Sequence, residues 1–189
     1  MFLSPVSGPV RRAGPCPFDA RFALRYMTRI FIDADACPVR DETYRVAQRH
    51  GLHTFVVSNR MIAVPASPLI ERIVVTQGMD VADDWIAEQV AAHDIVISAD
   101  IPLAARCVAR GACVLDPRGR ILDEDAIGMA LAMRNLMEDL RSTGAIMQGG
   151  RGFTRADRST FLSALDTAVV RARRQAAGHG RPISIVPPR

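Results

Sequence analysis

The hydrophobic pattern changes period repeatedly along the chain from residue 29 onward. Five short apolar runs predict β-strands, at residues 29–33, 53–58, 71–76, 93–98 and 112–115. Most of the stretches between them carry apolar residues at helical spacing. Strands that alternate with helices are typical of βαβ units, which place the strands in parallel. We therefore predict an α/β fold with a mostly parallel sheet of about five strands and helices on both faces.

Two longer helical patterns follow the last strand, at residues 123–141 and 154–174. In the first of them, Met129, Met133 and Met137 recur at every fourth position. Residues four apart lie on one face of a helix, so this repeat predicts a stripe of methionines that packs against the core. The sequence thus adds two C-terminal helices to the predicted sheet.

The ends of the chain differ in composition from the segment between them. Residues 28–174 form the predicted domain. The glycine- and proline-rich residues 175–189 predict a disordered basic tail, and the proline-rich residues 1–27 predict a disordered extension. Residues 29–150 carry twelve arginines against seventeen acidic residues, whereas residues 151–189 carry eight arginines against two acidic residues. The charge pattern is therefore an acidic body with basic ends, which suits either polyanion-contacting arms or simply solvated tails.

All 24 basic residues of the 189-residue chain are arginines. The absence of lysine excludes a P-loop of the Walker type, Schiff-base chemistry and Ser-Lys hydrolysis. No apolar run approaches the roughly 18 residues that a membrane span needs. The four cysteines form no C-x-x-C pair, so free thiols are expected rather than a structural zinc site. We predict a cytoplasmic protein that does not bind membranes.

Aspartates follow several of the predicted strands. Asp33 and Asp35 come after the first strand, Asp100 after the fourth and Asp116 after the fifth. Because ligands of parallel sheets bind outside the carboxyl ends of the strands, these side chains are candidates for a common site. Asp116 precedes Pro117 in a sequence that is also typical of a turn. Asp33 directly follows a buried-type strand and has little structural reason to be there.

A second acidic group begins the helix after the third strand, and it consists of Asp80, Asp83 and Asp84. Asp80 and Asp84 are four residues apart and share a helix face. Asp80 is alternatively the N-cap of this helix, and carboxylates in the first turn are favoured by the helix dipole. Both interpretations stay open from the sequence.

Carboxylates that meet at one edge repel one another unless a cation neutralises them. Oxygen ligands without nitrogen or sulfur partners favour Mg²⁺ or Mn²⁺, which can clamp a phosphodiester during hydrolysis. We therefore predict a metal site with Asp33 and Asp100 as its catalytic residues. The candidate metal ligands are Asp33, Asp35, Asp80, Asp83, Asp84 and Asp100.

Other polar residues lie beside these aspartates in the sequence. The candidate phosphate-binding residues are Asn59, Arg60, Arg118 and Arg151. For Asn59 and Arg60, a polar turn and a solvated arginine are the alternative. Cys37 stands at a helix start, where a dipole favours a thiolate, but a small packing residue is the simpler interpretation.

Several motifs of the chain resemble the YaiI/YqxD family of uncharacterised bacterial proteins, which is related to PIN-like nuclease domains. They are F-I-D-A-D-A-C-P at 31–38, G-M-D-V-A-D-D-W-I at 78–86, S-A-D-I-P-L-A at 98–104 and D-P-R-G-R at 116–120. The resemblance covers about residues 28–170. At 151–152 the chain has Arg-Gly where the family pattern leads us to expect proline-containing residues.

This resemblance implies a PIN-like three-layer α/β/α fold in a cytoplasmic bacterial protein. It also implies that Asp33, Asp100 and acidic residues among Asp80, Asp83 and Asp84 match metal-ligand positions. The family pattern begins near Met27, so residues 1–26 are expected to reflect an upstream start codon. A proven activity is not implied, because the family is uncharacterised.

Three functions are compatible with the sequence. The leading hypothesis is a nuclease that depends on Mg²⁺ or Mn²⁺ and acts on nucleic acid, with RNA favoured over DNA only by analogy. The second is a phosphatase that uses Asp33 as nucleophile, with Asp35 as its acid. The third is a binding module for nucleic acid or protein without turnover. Aromatic residues make up only 5% of the chain, which gives little support for base stacking.

Overall fold

The computed structural model describes residues 28–35, 37–75, 78, 80–142 and 152–179. Five strands and five helices lie within these ranges. The strands are β1 (Ile30–Asp33), β2 (Thr54–Ser58), β3 (Ile70–Val74), β4 (Ile95–Ile97) and β5 (Cys113–Leu115). The helices are α1 (Arg40–His50), α2 (Val81–Gln89), α3 (Ile101–Val108), α4 (Glu124–Ser142) and α5 (Arg155–His179).

All five strands pair in parallel, in the order β3-β2-β1-β4-β5. Ile32 in the central strand lies opposite Val56 on one side and Ile97 on the other. The sheet order reverses at β1, so the loops after β1 and β4 diverge and leave a crevice at their carboxyl ends. The predicted α/β fold with a parallel five-stranded sheet is confirmed.

Side chains of the sheet alternate between two hydrophobic cores. Ile30 and Ile32 point to the core that contains α1 and α5, whereas Phe31 points to the core that contains α2, α3 and the start of α4. Successive residues of a strand face opposite sides, and both sides are covered here. The molecule is therefore a three-layer α/β/α structure.

The bounds of the predicted elements differ from the observed ones by up to five residues. The third strand begins at Ile70 and ends at Val74, instead of covering residues 71–76. Helix α5 continues to His179, so the prediction of a disordered tail is wrong for residues 175–179. The remaining tail, and the predicted extension at residues 1–27, lie outside the described residues.

The methionine stripe of α4 does not pack as predicted. Met129 is 75% exposed and Met133 is 53% exposed, while Ile127, two residues before Met129, is buried. The side chain of Met137 lies outside the described residues. Ile127, near the start of α4, belongs to the core that α3 also lines. The prediction was wrong for these residues. A four-residue repeat shows which residues share a helix face, but it does not show whether that face packs against the core.

A buried ion pair lies at the amino-terminal ends of β1 and β4. Asp94, just before β4, is 2% exposed and accepts hydrogen bonds from the Arg29 backbone and guanidinium and from the Ala91 backbone. The Arg29 guanidinium also stacks over Phe31 at 5.1 Å from the ring centroid. A carboxylate with this many donors is fully satisfied and holds the edge together.

Both sheet edges have distinct coverings. At the β5 edge, Leu115 forms an antiparallel bridge with Ile121, and the Leu122 N–H donates to the Val114 carbonyl. At the β3 edge, Glu71 and Arg72 are exposed. No helix in the described part of the chain is long and apolar enough to cross a membrane.

Candidate functional site

Asp33 and Asp100 stand at the carboxyl ends of neighbouring strands and are joined through one serine. Asp33 is the last residue of β1, and Ser98 directly follows β4. The Ser98 hydroxyl donates to Asp33 Oδ2 at 2.9 Å and accepts from the Asp100 N–H at 3.0 Å. Ser98 is 2% exposed, so its hydroxyl is held in place by the surrounding core. The sequence predicts that these two aspartates lie close together, and the Ser98 hydroxyl connects them directly.

Asp100 is also the N-cap of α3. Its Oδ1 accepts a hydrogen bond from the Leu103 N–H at 2.8 Å, and Pro102 follows within the first turn. N-capping satisfies an amide that the helix leaves free, and it fixes the orientation of the carboxylate. A structural role therefore accounts for one of the two Asp100 oxygens.

The environment of Asp33 is unfavourable to its charge. Burial raises the pKa of Asp33 above its usual value, and the hydrogen bond from Ser98 opposes this effect. The like charges of Asp35 and Asp100 raise the pKa further. A half-buried carboxylate surrounded by other carboxylates is the arrangement that a cation would relieve.

Asp83, in the first turn of α2, is the third member of the group. Partial burial raises the pKa of Asp83 to about 6, and the charges of Asp33, Asp100 and Asp80 add to the shift. The guanidinium of Arg106 offsets part of it. Three elements that are distant in sequence therefore bring Asp33, Asp83 and Asp100 into electrostatic contact, and we call these three residues the aspartate centre.

The other two acidic residues at the start of α2 have different surroundings. Asp80 is the N-cap residue, but its φ of 62° is left-handed and its side chain makes no capping hydrogen bond. Asp84 forms an ion pair with Arg106, with 2.8 Å between Oδ1 and the guanidinium nitrogen. The charge of Asp80 acts on Asp83 of the aspartate centre, whereas Asp84 faces α3.

Asp35 connects the loop after β1 to the loop after β2. Its Oδ2 accepts from the Asn59 N–H at 3.0 Å, and its backbone carbonyl accepts from the Arg60 guanidinium at 3.1 Å. Asp35 Oδ1 is buried without a hydrogen-bond partner, and the nearest Arg60 nitrogen is 3.8 Å away. Asn59 and Arg60 are predicted to bind phosphate. In the structure, the backbone N–H of Asn59 and the guanidinium of Arg60 donate hydrogen bonds to Asp35.

Asp116 is a turn residue, as its Asp-Pro sequence indicates. Its Oδ1 accepts from the Arg118 and Arg120 N–H groups, both at 2.9 Å, and its Oδ2 accepts from Arg120 Nε at 2.7 Å. Gly119 has a φ of +84°, and a Cβ there would lie 3.0 Å from the Phe161 backbone. The turn after β5 is thus tied to α5 by a contact that only glycine allows.

Cys37 and Arg158 support the loop that carries Asp35. Cys37 is buried, and burial raises the pKa of its thiol to about 11, so it is a protonated packing residue. Arg158 in α5 donates to the Pro38 carbonyl at 2.8 Å and to both oxygens of the buried Glu42 at 3.1 Å. These contacts fix the path of the chain between β1 and α1.

The donor set of the site consists of carboxylate oxygens, which hard divalent cations prefer. Within the described residues, no group of three or more acidic, histidine or cysteine side chains lies close enough together to hold a metal ion. The oxygen donors fit Mg²⁺ or Mn²⁺ in their chemistry, whereas the described positions of the carboxylates do not form a three-ligand site. The candidate Arg151 lies outside the described residues.

Ser98 is the site residue that sequence reasoning did not single out. It stands in the same S-A-D segment as Asp100, two residues before it. A serine at a strand end is common in turns, so only its burial and its bond to Asp33 distinguish it. One signal in the sequence pointed to Ser98. It directly follows the apolar run of β4, and β4 pairs with β1, which ends at Asp33.

Comparison with known proteins assigns the chain to a family. A family model described as "Uncharacterized BCR, YaiI/YqxD family" matches residues 31–171. The chain belongs to the YaiI/YqxD family. The matched range contains the whole aspartate centre and the turn after β5, and the resemblance in the motifs is thereby confirmed.

Curated relatives of the chain are named UPF0178 proteins. The protein GDI0551 of Gluconacetobacter diazotrophicus is 93% identical over 151 residues, which cover 80% of this chain and 98% of the relative. A protein of Rhodopseudomonas palustris is 60% identical, covering 82% and 95% of the two chains. One from Gluconobacter oxydans is 58% identical, covering 79% and 86%. No solved structure matches the chain.

Proposed function

We propose that this YaiI/YqxD protein is a hydrolase of phosphodiesters that depends on a divalent cation, with a PIN-like domain and with RNA as its favoured substrate. One observation carries the proposal. The three carboxylates of the aspartate centre stand at the end of β1, in the first turn of α2 and at the N-cap of α3, and burial together with like charges raises the pKa of Asp33 and of Asp83 there. Carboxylates with raised pKa values beside other carboxylates are typical of functional sites. RNA is preferred over DNA by family analogy alone.

The roles of the residues follow from their contacts. Asp33, Asp83 and Asp100 would hold Mg²⁺ or Mn²⁺, and Asp35 and Asp80 lie next to them. When bound, the cation supplies a more acidic water and polarises a phosphoryl oxygen. Ser98 orients Asp33, because its buried hydroxyl donates to Asp33 Oδ2. The N-cap bond of Asp100 leaves its second oxygen for other contacts.

The test is cleavage by the full-length protein of labelled single-stranded RNA and DNA, with Mn²⁺, with Mg²⁺ and with EDTA. We expect cleavage with either cation and none in EDTA. Asp33→Asn should lower the rate by about 100-fold or more, since even residues behind a metal ligand contribute roughly 10- to 100-fold. Glu88→Gln, an exposed charge removal in the last turn of α2, is the matched control.

The result also separates the proposal from its alternatives. Release of inorganic phosphate from monoesters, without internal cleavage of oligonucleotides, would favour the phosphatase and contradict the proposal. Absence of cleavage under every condition, together with tight binding of RNA, would favour a binding module. If Asp33→Asn cleaved RNA as fast as the unmodified protein, the aspartate centre would have no role in the reaction.

A further inference from the structure

Helix α4 contains a run of residues without a polar side chain, from Ala126 to Met133. Only Ile127 of this run is buried. Met129, Leu131 and Met133 are exposed although their side chains are large and apolar. Exposed apolar side chains that follow one another along a helix are typical of a surface that another molecule covers.

The apolar face continues along the rest of α4 with the spacing of a coiled coil. The backbone is helical from Glu124 to Ser142, so the position in the sequence determines which residues share a face. Apolar residues recur in alternating steps of three and four. They are Ala126, Met129, Met133, Leu136 and Leu140. This is the pattern of core positions in a two-stranded coiled coil, and we call this row of five positions the α4 seam.

The charged residues of α4 lie beside the α4 seam, and its two flanks differ in sign. Because each residue turns the helix by about 100°, Arg134 and Arg141 both fall on one flank. By the same spacing, Asp125 and Asp139 both fall on the other flank. The row itself contains no charged residue. An uncharged seam between charged flanks is typical of a helix that pairs with another helix.

The opposite signs of the flanks favour one kind of partner. In a parallel pair of identical helices related by a two-fold axis, the arginine flank of each helix lies beside the aspartate flank of the other. In an antiparallel pair, the two arginine flanks would meet, and so would the two aspartate flanks. A second copy of the chain in parallel orientation therefore covers the apolar positions and also brings opposite charges together.

The charge of α4 disfavours a lipid surface as the partner. The helix has four acidic residues against two arginines. Helices that lie on membranes are instead rich in basic residues, which anionic lipids attract. The net negative charge of α4 thus points to a protein partner.

We propose that the α4 seam is a self-association surface, on which α4 of a second copy of this chain packs in parallel. The surface is separate from the proposed function, because the aspartate centre contains no residue of α4. The helix has 19 residues, which is fewer than three heptads. The dimer is therefore dependent on concentration, with a dissociation constant in the micromolar range.

Sedimentation equilibrium of the full-length protein, from about 1 to about 200 μM, tests the proposal. We expect the average mass to rise from that of one chain toward that of two. Met133→Glu places a charge in the α4 seam and should weaken the dimer about 30-fold or more. Met61→Glu is the matched control, because Met61 is also exposed but lies between β2 and β3. It should leave association unchanged, and thermal melting checks that both variants fold.

The flanks are tested by reversing their charges. Arg141→Asp places an acidic residue beside the aspartate flank of the second copy, so it should weaken the dimer about threefold. Adding Asp139→Arg to this variant restores opposite signs and should restore the affinity. A double variant that stays as weak as Arg141→Asp would contradict the parallel pairing.

A cysteine at position 140 tests the orientation directly. In a parallel pair the two copies of Leu140→Cys face each other, so mild oxidation should join the two chains by a disulfide. In an antiparallel pair centred on Met133 the two cysteines would be about 20 Å apart, which is too far for this bond. The unmodified protein, oxidised in the same way, controls for its four native cysteines.

Several results would overturn the self-association surface. They are the mass of a single chain at every concentration, equal association of Met133→Glu and the unmodified protein, and no additional disulfide-linked dimer from Leu140→Cys. Binding to vesicles of phosphatidylcholine and phosphatidylglycerol that is lost in Met133→Glu would assign the α4 seam to a membrane and also overturn the proposal. Absent cleavage of nucleic acid together with the expected dimer would contradict only the proposed function.

Discussion

Aspartates at the two ends of the parallel strands have opposite electrostatic surroundings. At the amino-terminal edge, Asp94 is almost fully buried but is paired with Arg29 and with the Ala91 amide. At the carboxyl edge, Asp33 is more exposed, yet its neighbours Asp35 and Asp100 carry the same charge. Folding pairs the first carboxylate with a guanidinium, whereas the second accepts a hydrogen bond from Ser98 but is opposed by its burial and by two like charges. The contrast teaches that a buried carboxylate paired with a cation is structural, whereas a partly buried one beside like charges is a candidate functional acid.

The largest effect that the comparison predicts is at Asp94. Asp94→Asn should lower the free energy of unfolding by about 3 kcal/mol, because it leaves the Arg29 guanidinium without its buried counter-ion. Urea unfolding followed by circular dichroism measures this change. Asp33→Asn is the matched substitution at the other edge and should cause no loss. Equal losses for the two variants would contradict the difference between the edges.

Ser98→Ala sharpens the comparison at the carboxyl edge itself. This substitution removes the bonds to Asp33 and to the Asp100 amide, so we expect a loss of about 2 kcal/mol from two bonds worth about 1 kcal/mol each. The loss should shrink when Asp33 is already asparagine, since the bond to a charged acceptor is the stronger one. A double-mutant cycle in urea measures the coupling. If the two substitutions changed the unfolding free energy additively, Ser98 and Asp33 would not be energetically coupled.

Binding of Mn²⁺ should stabilise the carboxyl edge and leave the amino edge unaffected. At a concentration tenfold above its dissociation constant, Mn²⁺ should add about 1.4 kcal/mol to the unfolding free energy of the unmodified protein. Asp33→Asn should lose this increment, while the exposed-site control Glu88→Gln retains it. Thermal melts with and without Mn²⁺ give the comparison. An equal increment in all three proteins would place the cation elsewhere.

The smallest effect is a pH dependence at Asp83. Its pKa is raised from 3.8 to about 6 in the folded protein, so the folded state binds the proton more tightly and stability falls as pH rises through this window. Asp83→Asn should therefore gain about 1 kcal/mol at pH 8, after allowance for solvent screening of a half-exposed group. Most of the gain should disappear at pH 4. Unfolding at both pH values, with Glu88→Gln as control, tests this sign.

The sequence predicted the sheet and the place of its acidic edge because both follow from local patterns. Apolar runs locate β1 and β4, and parallel pairing then brings Asp33 and Asp100 to one crevice. The choice between Asp83 and Asp84 does not follow from such patterns. Both stand in the first turn of α2, and the rotation of that helix is set by the packing of Ile86 against the distant core.

Other features depend on tertiary contacts that no short pattern records. Asp94 lies within a predicted strand segment, and its partner Arg29 is 65 residues away. Met129 and Met133 repeat as core residues do, although both side chains are exposed. Phe153 is one of few aromatic residues, and only its contact with Arg158 gives it a specific place.

The coverings of the sheet edges have a consequence for self-association. An outer strand with free backbone groups is a template on which a strand of another molecule can assemble into aggregates. Here the β5 edge is occupied by the bridge from Leu115 to Ile121, and the outermost strand β3 carries exposed Glu71 and Arg72. Charged residues on an edge strand discourage such pairing. Both outer strands of the sheet therefore carry features that discourage the strand pairing that leads to fibrils.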